Sequence, residues 1–105
     1  VGLDETLLER LRRLLPRHGD VVEKQMVGGR SFSLAGRMCC GVTRGGLMVR
    51  VGRDRVASAL DEPFVSRMSM GGRSLAAFVV VAPEGLVTDA ALEAWVQRAV
   101  RVAAE

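Results

Sequence analysis

Four sets of residues in this sequence have types and spacings that carry chemistry in other proteins. They are a single histidine, two adjacent cysteines, a twice-occurring Gly-Gly-Arg-Ser tetrapeptide and a central group of arginines. His18 follows Pro16 at the end of the first helical pattern, where interaction with the negative end of a helix accounts for it. General-base work needs a nucleophile beside the imidazole, and nothing in the sequence points to one. Cys39 and Cys40 suggest a metal or redox centre, but neighbours on a regular strand face opposite ways. One ion then cannot take both thiols, and no second Cys or His cluster completes a tetrahedral set. The cysteines are therefore expected to be small core residues, holding no metal and forming no disulfide. The segments 28–31 and 71–74 lack the Lys-Ser/Thr pair of a phosphate loop and precede strands rather than helices. They read as turns or bulges, each placing an arginine, Arg30 or Arg73, directly after flexible backbone.

The net charge of +3 is unevenly spread. Residues 28–73 hold eight arginines against three acids, whereas residues 1–27 are balanced and residues 74–105 are net acidic. A positive centre attracts nucleic acid or an acidic protein face, although a solvated sheet surface accounts for it as well. Arg30, Arg37, Arg50 and Arg73 are the candidate anion or partner contacts within it. Base-stacking modules need exposed aromatics on a sheet, and here Phe32, Phe78 and Trp95 fall at core positions while tyrosine is absent. The five methionines, Met26, Met38, Met48, Met68 and Met70, read as core filler, or alternatively as an adaptable binding face.

The elements that must position these residues follow from periodicity. Asp4 caps a helix whose Leu7, Leu8, Leu11, Leu14 and Leu15 form one apolar stripe, and Pro16 ends it. Strands are predicted at 21–27, 31–35, 38–43 and 47–51, with glycine at every break, so that residues 21–51 form a four-stranded antiparallel meander. A short helix over 54–60 ends at Glu62-Pro63. Strands at 67–70 and 75–82 follow, and then a helix capped by Thr88 or Asp89 with Leu92, Trp95, Val96, Ala99 and Val100 on one face. The order α-β-β-β-β-α-β-β-α implies an α+β fold, an antiparallel sheet of about six strands with the first and last helices packed on it. The strand at 75–82 is apolar on both faces, with Leu75, Ala77, Val79 and Val81 on one and Ala76, Phe78, Val80 and Ala82 on the other. If helices cover one face, Phe78 and Val80 are left exposed on the other, and a twofold homodimer is expected through them. The alternative is that the short helix at 54–60 crosses over and covers that face.

Taken in order, these residues resemble the TfoX N-terminal domain family, named for regulators of natural competence. The family's Lys-x-Met-Phe-Gly-Gly opening is matched by Lys24, Met26, Gly28 and Gly29, with Val27 where the family has an aromatic. A glycine turn into a strand is matched by Gly36, Met38, Cys40, Gly41 and Val42, and a Leu-x-Val-Arg-Val strand by Leu47, Val49, Arg50 and Val51. Gly72-Arg73 precedes the long apolar strand, with Ser74 in place of proline, and Leu92 and Trp95 match the closing helix. The resemblance spans roughly residues 4–100 and implies a regulatory domain with no established catalytic residues. Full-length competence regulators carry a second, C-terminal domain, for which these 105 residues have no room.

Length and composition set the remaining expectations. One domain over 1–105 is expected, large enough to bury a core without staples. No apolar run approaches the roughly 20 residues of a membrane span, and two adjacent cysteines form no extracellular disulfide framework, so the cytoplasm is the expected compartment. The resemblance, not composition, implies the expected function, a non-catalytic, cofactor-free binding domain that acts through a protein partner in transcription regulation. A nucleic-acid module using the central arginines is the alternative, and it requires those arginines to share one face. A small-ligand binder or enzyme is the third reading, and it requires a deep pocket with convergent polar groups.

Overall fold

The first helix, α1, runs Glu5–Leu14 because its ends are satisfied locally. The Asp4 carboxylate accepts from the Leu7 N–H at 3.0 Å, Glu5 lies in the positive first turn, and Arg12 and Arg13 lie in the negative last turn. Pro16 converts the continuation into a tight 3₁₀ segment over Leu15–His18, and Gly19 turns the chain at φ +142°. A computed structural model of the chain describes residues 4–26, 28–70 and 72–105; the side chains at 70, 73 and 74 lie outside that description.

Six strands follow: β1 (Val21–Met26), β2 (Gly29–Leu34), β3 (Arg37–Thr43), β4 (Gly46–Arg50), β5 (Val65–Met70) and β6 (Arg73–Val81). They form one sheet in the order β1-β2-β3-β4-β6-β5, with every neighbouring pair antiparallel. Helix α2 (Val56–Leu60), preceded by a 3₁₀ turn over Arg53–Arg55, links β4 to β5. Helix α3 (Asp89–Ala103) closes the fold, and of its two candidate caps it is Thr88 whose hydroxyl accepts from the Ala91 N–H at 3.0 Å. The α+β class, the six strands and their order are those expected, and β1 to β4 form the meander; Val27, the last residue of the first predicted strand, lies outside the described residues.

The helices gather on one face of the sheet. Leu7, Leu8, Leu11 and Leu15 join Val56, Ala59, Leu92, Trp95, Val96 and Ala99 there, against Phe32, Val42, Leu47, Val49, Val79 and Val81. Helix α2 therefore reinforces the covered face and does not cross to the other. The second face carries its own cluster of Met48, Met68, Phe78 and Val80, with Met26, Met38, Leu75 and Ala77 packed against it.

Two irregularities overturn expectations built on strict alternation. Cys40 pairs with Phe32 and Met38 with Ser33, so Cys39 is an extra residue in β3, a bulge. The bulge turns Cys39 to the helix-covered face beside Cys40, and the two Sγ atoms lie 3.8 Å apart in the core. The divergence of the cysteine side chains inferred from alternation is therefore wrong. The second break lies between β5 and β6. From the Arg67–Val79 pair to the Ser69–Ser74 pair, β5 supplies Met68 alone while β6 supplies residues 75–78. Leu75 and Ala77 accordingly pack with Phe78 and Val80 instead of facing away from them.

Candidate functional site

The four arginines singled out from the sequence do not assemble into a site. Arg30 lies on the helix-covered face of β2, where its Nε donates to Glu23. The same carboxylate receives Nε and Nη2 of Arg12 from α1 at 2.8 and 2.7 Å. Hydrogen bonding from Arg12, reinforced by Arg30, holds Glu23 well below the usual carboxylate range, at about 2. Arg37, at the start of β3, reaches the main-chain oxygen of Glu105 at 2.6 Å. Arg50 lies on the opposite face from Arg30: its Nε donates to the Met38 carbonyl at 2.7 Å, and its guanidinium stacks 4.7 Å from the Phe78 ring centroid. Arg73 begins β6, and its side chain lies outside the described residues. Three of the four candidates are thus spent on separate internal contacts. His18 is likewise engaged, with Nε2 2.9 Å from Glu93 Oε1.

A different set of arginines does converge. Between α2 and α3 lies a cleft of about 220 Å³ lined by Val51, Arg55, Ser58, Ala59, Glu62, Arg98, Arg101 and Val102. Its floor is apolar, since Val51, Ala59 and Val102 are buried. Its rim is cationic. Arg98 pairs with Glu62 at 2.8 Å and stacks on Trp95 at 4.2 Å, and Arg55 pairs with Glu105 at 3.2 Å. Arg101 makes no ion pair among the described residues. The paired side chains are 38 to 52% exposed, a setting in which ion pairs contribute about 0–1 kcal/mol. Glu62 and Glu105 therefore occupy positions from which an incoming carboxylate displaces them at little cost.

A second depression of about 370 Å³, lined by Arg10, Arg13, Leu14, Arg17, Asp89, Ala90 and Glu93, is more open, and none of its lining residues is fully buried. Arg10 there is already tied to the Thr88 carbonyl and to Asp89, at 3.2 and 3.3 Å.

The TfoX N-terminal domain family model matches residues 13–103, from the last two residues of α1 to the end of α3. The chain belongs to the TfoX N-terminal domain family. No curated protein and no solved structure matches it significantly. In this TfoX N-terminal domain the match takes in both walls of the α2–α3 cleft, so the cleft belongs to the domain itself. Sequence reasoning missed it because Arg98 and Arg101 fall in the net-acidic last third of the chain. The available signal was their spacing of three, which sets both on one flank of α3 beside Trp95 and Val102.

Proposed function

We propose that this TfoX N-terminal domain is a non-catalytic regulatory module that acts in transcription by binding a protein partner, and that the α2–α3 cleft receives an acidic segment of that partner. The observation that carries the reading is the cleft itself, in which Arg55, Arg98 and Arg101 rim an apolar floor of Val51, Ala59 and Val102. Apolar contact at the centre with displaceable charge at the rim is the anatomy of a protein-recognition patch. At about 220 Å³ the cleft is smaller than the roughly 300–1,000 Å³ of drug-sized ligand sites, which favours one or two partner side chains over a cofactor. Family membership supports the regulatory role. A nucleic-acid surface built on Arg30, Arg37, Arg50 and Arg73 is disfavoured because the three described side chains have separate engagements on different faces.

The test is affinity capture from native lysate, with and without nuclease treatment, with the wild-type domain and an R55E/R98E/R101E variant as baits. A protein retained by the wild type should be lost from the variant and should elute as salt rises, since rim charge is screened. Identical proteins on both baits would remove the cleft from the interface. Retention that vanishes on nuclease treatment would replace the protein partner with nucleic acid.

A further inference from the structure

We propose that Cys39 and Cys40 form a redox-modification site, a dithiol that hydroperoxides convert reversibly to a disulfide between adjacent residues. The geometry comes from the bulge. On a regular strand the two thiols would lie on opposite faces, whereas here the sulfurs are 3.8 Å apart within the core. Both cysteines are free, and neither side chain has surface exposed. The Cys39 thiol also donates to the Phe32 carbonyl at 3.4 Å, so the bulged residue is held against β2.

The pair is asymmetric in a way that suits stepwise oxidation. Hydrogen bonding between the thiols holds Cys39 below its ordinary range, and the same contact together with burial pushes Cys40 well above it. Cys39 is thus the attacking sulfur and Cys40 the resolving one. The Cys39 thiolate attacks one peroxide oxygen and the O–O bond breaks. The departing alkoxide or hydroxide takes up the proton that Cys39 released, which leaves a sulfenic acid on Cys39. The Cys40 sulfur then attacks the Cys39 sulfur. An S–S bond forms, the S–O bond breaks, and water leaves with the Cys40 proton. In total two thiols lose two electrons and one peroxide gains them, giving the disulfide, one alcohol or water, and one further water.

Access comes from the end of the β2–β3 hairpin. Cys39 lies two residues from the exposed Arg37 and directly beside the half-buried Met38, and the turn joining the strands is Ala35-Gly36. Fraying of a strand end requires far less free energy than global unfolding. Consecutive Cα atoms lie about 3.8 Å apart across a trans peptide, shorter than the roughly 4.4–6.8 Å spacing of unstrained disulfides, so the product is readily reduced.

The experiment treats the folded chain with hydrogen peroxide under native conditions, then counts thiols after unfolding without reductant and measures intact mass. The expected result is loss of both thiols with a mass lower by two hydrogens, full recovery in dithiothreitol, and unchanged helical circular dichroism throughout. In Cys40→Ser the reaction should stop at a sulfenic acid on residue 39 that dimedone captures, whereas Cys39→Ser should react at least tenfold more slowly. If these variants fail to fold, phenylarsine oxide tests the wild type, which should bind one equivalent per chain, released by a dithiol and not by a monothiol. Oxidation seen only under unfolding conditions, a disulfide formed only between chains, or no arsenical uptake by the folded chain would overturn the proposal.

Discussion

Glu23 accepts hydrogen bonds from two guanidiniums, so its ionisation is linked to folding. Its carboxyl titrates at about 2 in the folded chain, against an ordinary value of 4.5. The unfolded state then binds the proton first on acidification, and the stabilisation is complete above about pH 5 and drains away as pH falls towards 2. The carboxylate itself is 22% exposed but its arginine partners are 36 and 43% exposed, so solvent screening trims the contribution to about 1 kcal/mol. Urea unfolding of Glu23→Gln should show a loss of that size at pH 7. The gap to wild type should narrow steadily through pH 5, 4 and 3, and a pH-independent gap would mean that packing, not charge, holds Arg12 and Arg30. This cluster was invisible in the sequence because it joins α1, β1 and β2 through contacts up to 11 residues apart that no periodicity marks.

Among the secondary-structure elements, the hairpins were legible because glycine marks each break and alternation marks each strand. What glycine does at each position differs, however. Gly28 turns the chain at φ +77° and has open space where a Cβ would stand. Gly29 lies in β2 with its Cβ position 2.1 Å from the Val42 carbonyl oxygen. Gly28→Ala should therefore cost about 1 kcal/mol from left-handed backbone strain alone. Gly29→Ala must push β2 and β3 apart and should cost about 2–3 kcal/mol, as overpacking does. Thermal unfolding of the two variants checks the order, and equal losses would refute the close approach. The bulge at Cys39 was not legible, because an extra strand residue leaves no mark in residue type. The break between β5 and β6 was hidden in the same way: residues 75–82 are apolar on both faces, so a register shift alters no pattern.

For the whole molecule, the question is what covers the sheet face that the helices leave free. Self-association was expected because Phe78 and Val80 would be exposed there, and that premise does not hold. Within one chain they are 6 and 8% exposed, and Met48 and Met68 are buried with them. The cover is made from the face's own long side chains, with Arg50 stacked over Phe78 and anchored to the Met38 carbonyl. The large apolar side chains exposed among the described residues are Val22, Phe64 and Val87, and none of them belongs to the cluster around Phe78. A dimer through this face would first have to displace Arg50 from its stacking and its hydrogen bond. Light scattering at micromolar concentration should accordingly return the 11.3 kDa mass of one chain. Arg50→Ala should lower stability by about 1–2 kcal/mol and raise the apparent mass by uncovering Phe78. A wild-type dimer that Arg50→Ala leaves unchanged would show that association uses a different surface and that Arg50 does not guard this one.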